Sequence, residues 1–318
     1  MDSRIGAQAG SQQAKPRNQA RAKKNFCSDG PAEPLAGTAK VAPLFIALEH
    51  HLGWSHDILD GGVYGEELTA KLKTWLKNQG ASLQLIRRPG RTATTEDTTL
   101  NLFIAHAGAA QPFMEHLQVT HARDLLQLQL ELGTPTTGAR EVHYPLLLVC
   151  THGKRDVCCA VKGRPLAAAA AKVHPNLVWE TSHLKGHRFA PATALLPWNI
   201  AYGRLSAPQM IEVLNDAVAG TWNPTGCRGR GVFAAAAQVA ELAVRRDLGL
   251  WGFTDVADVA VSKIDNDHAV AAVKLRLPEG SQIEKTVRLQ VVETDGVIAS
   301  CGDEPKTQRA WVRVPELS

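Results

Sequence analysis

An apolar run that ends on a cysteine near the middle of this chain constrains the fold more than any other part of the sequence. Residues 146–149 predict a buried strand, and Cys150 follows directly. Eight residues separate Cys150 from Cys159, and further along the chain three residues separate His183 from His187. Because thiolates and imidazoles bind borderline and soft metal ions readily, this spacing predicts a metal site of two cysteines and two histidines.

The spacing leaves the kind of site open. Two thiolates on one iron and two imidazoles on the other would hold a [2Fe-2S] centre of the Rieske type of ligation. The same four side chains could hold a tetrahedral zinc ion. A thiol-disulfide site using Cys158 or Cys159 is a third reading, and buried cysteines beside solvated histidines are a fourth.

Charge is concentrated at the start of the chain. The net charge is +4, yet residues 1–25 contain six basic residues and one acidic residue, so the rest of the chain is close to neutral. We therefore expect residues 1–26 to form a disordered basic tail and expect no nucleic-acid partner.

Targeting signals and cysteine usage indicate a compartment. The sequence has neither an apolar secretory core nor a run near the ~18 apolar residues of a membrane span, so we expect no membrane association. Its six cysteines are few and include an adjacent pair, which is typical of metal-binding or redox thiols in a reducing compartment. These features predict a cytoplasmic protein.

Residues 27–142 alternate between strand and helix patterns and predict an N-terminal α/β region. A helix is expected to end at Gly80, because the apolar residues before it recur at helical spacing. The segment from 112 to 142 has no clear pattern. The predicted strands are 44–48, 82–87 and 100–105.

Residues 143–222 predict a thioredoxin-like domain. The strand that enters Cys150, a helix, a second strand at 177–180, a hairpin and a final helix give the order β-α-β, β-β-α. Ser206 and Gln209 predict a capping box for the final helix. Residues 223–318 predict a helix followed by a small antiparallel β region.

Several motifs together resemble the sucrase/ferredoxin-like family, whose members are thioredoxin-like [2Fe-2S] proteins with two cysteine and two histidine ligands. The motifs occur in order over nearly the whole chain after the tail. They are EPLAGTA at 33–39, CTHGKRDVCC at 150–159, SHLKGHRFA at 182–190, AYGRL at 201–205, RGR at 228–230 and QVAE at 238–241.

The resemblance implies ligands at Cys150, Cys159, His183 and His187, since the second cysteine follows an Arg-Asp-x-x-Cys pattern. It thereby makes residues 143–222 a ferredoxin domain within an α/β chain. The family usually has two glycines between its histidines, and this chain has Lys185-Gly186. A lysine there is expected to favour the reduced, more negative cluster.

Neighbouring residues receive structural readings. We expect a loop hydrogen bond for His152, pairing for Arg155 and Asp156, and an ordinary buried role for Cys158. Pro191 is a candidate cis-proline. Ordinary packed or surface roles are expected for the remaining cysteines, Cys27, Cys227 and Cys301. Surface roles are expected for the histidines His50, His51 and His56. The arginines Arg87, Arg88 and Arg91 predict a basic patch that is solvated or docks a partner.

The resulting hypothesis is a one-electron carrier rather than a self-contained enzyme. The sequence has no GxGxxG after a strand, so an external reductase and an acceptor protein are expected as redox partners. No carboxylate pair is placed for glycoside hydrolysis. The alternatives are a zinc-stabilised interaction module and a thiol-disulfide oxidoreductase.

Overall fold

Residues 26–90, 99–277 and 280–315 are described by this computed structural model. The predicted basic tail, apart from its last residue, and Arg91 lie outside the described residues. The described chain forms a ten-stranded mixed sheet with helices against it and a separate four-stranded antiparallel sheet. The predicted α/β class is therefore confirmed. Among the described helices, none has both the length and the apolar character needed to cross a bilayer.

The first half of the large sheet is built by the predicted N-terminal region. Its elements are β1 (Leu44–Glu49), α1 (Glu66–Gln79), β2 (Ala81–Arg87), β3 (Leu100–His106), β4 (Phe113–Val119) and β5 (Arg140–Val142). Strand β1 pairs in parallel with β2 and antiparallel with β3, and the strands lie in the order β2-β1-β3-β4-β5. Helix α1 ends at Gly80, which has the left-handed conformation of a C-cap, as expected.

The segment without a clear sequence pattern contains β4 and β5 and a short 3-10 helix, Ala122–Gln127. The helix includes the first three residues of a stretch, 125–132, in which leucine largely alternates with glutamine. Asp124 fixes its start by accepting hydrogen bonds from the backbone N–H groups of Thr120 and His121, 2.9 Å in each case.

The second half of the large sheet has the predicted thioredoxin-like order of elements. They are β6 (Leu146–Cys150), α2 (Val157–Val173), β7 (Val178–Thr181), β8 (Thr193–Leu196), β9 (Ile200–Tyr202) and α3 (Ala207–Val218). The strands lie in the order β7-β6-β8-β9, and the central strand β6 pairs in parallel with β7 and antiparallel with β8. Ser206 and Gln209 form the predicted capping box of α3.

The two halves repeat one topology that the sequence does not reveal. In each half a central strand pairs in parallel with the strand after the helix and antiparallel with the next, and the two sheets join edge to edge through antiparallel pairing of β2 with β7. The predicted division near residue 143 thus separates two halves of one continuous sheet.

The join between the halves is fixed by buried polar side chains. Arg87 pairs with Glu180 at 2.8 Å, and Thr151 donates a hydrogen bond to the same carboxylate at 2.9 Å. Ser182 accepts a hydrogen bond from the backbone N–H of Leu85 at 3.0 Å and donates one to Gln84 at 2.9 Å. The residue after Ser182 is His183, so the join also sets the start of the histidine loop.

The C-terminal part consists of β10 (Cys227–Arg230), α4 (Ala235–Leu248), β11 (Val256–Lys263), β12 (His268–Arg276), β13 (Gln282–Val297) and β14 (Lys306–Arg313). Strand β10 joins the large sheet, and the other four strands form the predicted antiparallel sheet in the order β11-β12-β13-β14. Helix α4 is buried along most of its length between the two sheets.

A buried ion network attaches α4 to the large sheet. Glu241 has no exposed side-chain surface and lies 2.9 Å from Arg230 on β10 and 3.1 Å from Arg245 one helical turn further on. The guanidinium of Arg245 also lies 4.4 Å above the ring of Trp222. One carboxylate therefore compensates two buried positive charges.

We expect Glu241→Gln to lower the free energy of unfolding by about 3–5 kcal/mol, the range for removing one partner of a buried ion pair. The matched control is Glu67→Gln, because Glu67 is exposed and pairs with Lys71 on the surface, so its loss should cost far less than the loss of Glu241. Urea denaturation followed by circular dichroism measures both. Equal costs for the two variants would contradict the network.

Candidate metal centre

Two cysteines meet where the central strand passes into α2. Cys150 is the last residue of β6, and Cys159 lies in the first turn of α2. Asp156 caps that helix by accepting a hydrogen bond from the backbone N–H of Cys158 at 3.0 Å, which sets the direction of the first turn. Both site sulfurs are buried, and together with a nitrogen of His183 they lie within 4.8 Å of one another.

The two thiols share a hydrogen bond. The interaction with Cys159 holds the pKa of Cys150 well below its usual value, while the same interaction raises the pKa of Cys159. Ionisation of a thiol buried at this depth needs a compensating charge, which a metal ion would supply.

The two histidines lie side by side at the outer edge of this pair. The ring centroids of His183 and His187 are 5.0 Å apart, with 33° between the ring planes. The Nδ1 atom of each ring is buried and has no hydrogen-bond partner. Such an atom costs about 1–3 kcal/mol unless something binds it, so both rings present a free nitrogen that fits a metal ligand.

The carboxylate of Asp156 lies near the outer nitrogen of one of these rings. Its Oδ2 is 3.7 Å from Nε2 of His187, beyond hydrogen-bond distance, and His187 also interacts with the backbone of Ala299. Burial lowers the pKa of His187, although the nearby carboxylate opposes the shift. A carboxylate on the Nε2 side leaves the buried Nδ1 as the nitrogen for a metal ion.

The histidine loop is shaped by two consecutive left-handed residues, Lys185 at φ 65° and Gly186 at φ 73°. The buried guanidinium of Arg228 lies beneath this loop, donating to the carbonyl of Lys185 at 3.2 Å and to the hydroxyl of Thr38 at 3.0 Å. Burial lowers the pKa of Arg228 to about 10. Arg228 therefore positions the histidine loop, a role that its place in the sequence did not reveal.

A family model described as sucrase/ferredoxin-like matches residues 35–229, more than half of the chain. The chain belongs to the sucrase/ferredoxin-like family. No curated protein and no solved structure matches it. The match includes the two cysteines and two histidines of the site and leaves out Cys27 and Cys301.

The conformation of the histidine loop explains the glycines usual in the sucrase/ferredoxin-like family. Glycine adopts positive φ at no steric cost, whereas other residues lose about 1–2 kcal/mol there. Lys185 departs from the family pattern while keeping this backbone conformation, and its side chain is exposed.

Neighbouring residues met some expectations and not others. His152 is buried, and its Nε2 bonds the carbonyl of Ser55 at 2.6 Å, so the predicted loop hydrogen bond is confirmed. The Ala190–Pro191 peptide is cis, as expected. The pairing of Arg155 with Asp156 was wrong: Arg155 bonds His56 at 3.1 Å, because Asp156 faces inward as the helix cap.

The predicted basic patch was also wrong for its described members. Arg87 pairs with Glu180 at the join between the halves, and the guanidinium of Arg88 lies 3.8 Å above the ring of Trp179. Both arginines therefore stabilise the fold.

Of the nearby histidines, His50 is half-buried, and burial lowers its pKa to about 4.

We expect Gly186→Ala to cost more stability than Gly80→Ala. Both glycines have positive φ, but an added Cβ at Gly80 meets nothing within 4 Å, whereas at Gly186 it would overlap the guanidinium of Arg228. Overlap of this kind adds about 1–3 kcal/mol to the backbone cost that both variants share. Thermal denaturation of the two variants measures the difference. Identical losses would show that Arg228 does not support the loop.

Proposed function

We propose that this protein carries single electrons by means of a [2Fe-2S] cluster held by Cys150, Cys159, His183 and His187. The observation that carries the proposal is a pair of buried, unpartnered imidazole nitrogens beside two neighbouring buried cysteine sulfurs. When bound, such a cluster would accept and release one electron at a potential raised by its histidine ligands.

The two ends of the site differ in exposure. The cysteines are buried at the end of the central strand, while both histidines are half-buried. Asp156 lies near His187, and Arg228 holds the loop between the two rings. Electrons would therefore enter and leave at the imidazole end, since transfer needs close approach of a partner.

A single zinc ion is the alternative occupant of the same four side chains. Tetrahedral zinc accepts two thiolates and two imidazoles. The ligand atoms of Cys150, Cys159 and His183 lie within 4.8 Å of one another, and the ring of His187 stands beside them. The match to the sucrase/ferredoxin-like family favours the iron–sulfur cluster.

A thiol-disulfide oxidoreductase suits this site less well than an iron–sulfur protein does. Reactive cysteines need at least partial exposure for a substrate disulfide to reach them. Cys158 and Cys159 are both fully buried. Their sulfurs also have different neighbours, since Cys159 contacts Cys150 and Cys158 contacts Cys27.

A basic cleft beside His183 supports the proposal of separate redox partners. It has a volume of about 310 Å³, and its lining includes His183, Asp57 and the exposed Lys73 and Lys185. The two exposed lysines beside the imidazole end would complement an acidic partner surface. We propose that an external reductase and an acceptor protein use this side, in the cytoplasm, where the six free cysteines stay reduced.

Anaerobic purification tests the cluster. We expect visible charge-transfer absorption and about two irons per chain, since each iron takes two of the four ligands. Cys159→Ser should lose both, and Cys227→Ser is the matched control, because Cys227 is an equally buried cysteine in another part of the core. Stoichiometric metal without iron, or iron retained by Cys159→Ser, would refute the assignment.

The midpoint potential is expected to fall as pH rises. Reduction adds negative charge, which favours protonation of a ligand imidazole, and one proton per electron gives a slope of up to about −59 mV per pH unit. Protein-film voltammetry at constant ionic strength measures this. A potential that is flat between about pH 5 and pH 9 would argue against histidine ligation near solvent.

A further inference from the structure

Three cysteines that carry no ligand spacing meet next to the candidate iron site. The Sγ atom of Cys158 lies 3.1 Å from that of Cys27 and 3.0 Å from that of Cys301, and the third side of this triangle is 3.6 Å. A carboxylate closes the group, since Oδ2 of Asp156 is 3.6 Å from the sulfur of Cys27. These cysteines are packed together, as the sequence predicts, but the sequence did not predict that their three sulfurs meet.

The three sulfurs come from distant parts of the chain. Cys27 begins a short 3-10 helix, Cys27–Asp29, ahead of the large sheet, and Cys158 lies in the first turn of α2. Cys301 follows β13 in the loop that leads to β14. Because Cys27 and Cys301 lie outside the family match, this group is not part of the family's cysteine and histidine pattern.

We propose that Cys27, Cys158, Cys301 and Asp156 form a second metal site, which binds one zinc ion. With Zn–S bonds of about 2.3 Å and a Zn–O bond of about 2.0 Å, a tetrahedral site needs sulfurs about 3.8 Å apart and oxygen about 3.5 Å from sulfur. The sulfurs are 3.0–3.6 Å apart, and the carboxylate oxygens lie 3.6 and 3.8 Å from the sulfur of Cys27. Small outward shifts of the sulfurs produce the zinc geometry.

Asp156 can act as a ligand while keeping its other contacts. Oδ2 accepts hydrogen bonds from the hydroxyl of Ser300 at 2.9 Å and from the backbone N–H of Cys301 at 2.8 Å. Oδ1 accepts one from the backbone N–H of Cys158 at 3.0 Å. A carboxylate has about four acceptor positions, so Oδ1 retains one for a metal ion.

A disulfide explains this arrangement less well than a metal ion does. A disulfide joins two sulfurs at about 2.05 Å and gives the third no function. Here Cys158 is almost equally far from Cys27 and from Cys301, and no pair is bonded. Three soft donors and one carboxylate around a common point match the donor set of a structural zinc site.

The two sites lie on different sides of the first turn of α2. Successive helical residues project about 100° apart, so Cys159 faces Cys150 while Cys158 faces Cys27 and Cys301. A zinc ion would fasten the Cys301 loop over the start of α2. That loop also contains Ala299, which interacts with His187, so the second site would stabilise the cover of the first.

The test uses the full chain, produced with iron and zinc in the medium and purified anaerobically. X-ray absorption at the zinc edge should give three sulfur neighbours at about 2.3 Å and one oxygen at about 2.0 Å. Elemental analysis should find about one zinc per chain. Cys301→Ser should reduce that zinc at least tenfold, Cys227→Ser should keep it, and Cys159→Ser should lose iron while keeping zinc.

Other outcomes overturn the second site or separate it from the proposed function. A zinc ion with two sulfur and two nitrogen neighbours, lost in Cys159→Ser, would lie at the site of Cys150, Cys159, His183 and His187. That result would contradict both proposals. Zinc with oxygen and nitrogen neighbours alone, or no zinc and a disulfide from Cys158 found by non-reducing peptide mapping, would overturn the second site. Zinc bound by three sulfurs without any iron would support the second site and refute the electron carrier. If Cys301→Ser fails to fold, the zinc-edge spectrum of the unaltered chain decides.

Discussion

The carboxylate of Asp156 is the contact on which the candidate centre depends. Removing a charge from water is costly unless the charge is paired and hydrogen-bonded, and Asp156 is nearly fully buried. Burial alone would raise its pKa, but hydrogen bonds from Cys158 and Cys301 outweigh burial and hold the pKa well below its usual value. The carboxylate therefore stays charged, caps α2, and fixes the positions from which two adjacent cysteines face two different sites.

The repeated topology explains how one sheet provides both a scaffold and a site. The two central strands run in opposite directions, because β2 and β7 pair antiparallel, and β6 ends on Cys150 whereas β1 ends on Glu49. The first half contributes the wall of the site, since the carbonyl of Ser55 holds His152. The polar join between β2 and β7 then fixes Ser182, the residue before the first histidine. The first half, whose central strand ends on Glu49 rather than on a cysteine, thus still determines where the histidine loop begins.

Local signals in the sequence predicted much of the fold. The left-handed glycine after α1 and the capping box at Ser206 act over a few residues, so their effect can be deduced from the sequence. Strand β4 was missed, because its residues Phe113–Val119 mix charged and apolar side chains on both faces. The repeat was missed because strand order depends on contacts between distant segments. The convergence of Cys27, Cys158 and Cys301 was missed for the same reason, since the paired cysteines differ by 131 and 143 in residue number.

Pulsed EPR of the reduced protein labelled with nitrogen-15 histidine tests the central claim most directly, because it detects nitrogen atoms bonded to a paramagnetic iron centre. The account predicts strong couplings from two imidazole nitrogens, and loss of one of them when His187 is replaced by alanine. A paramagnetic cluster without directly bonded histidine nitrogen, or a reduced protein with no EPR signal from iron, would contradict it.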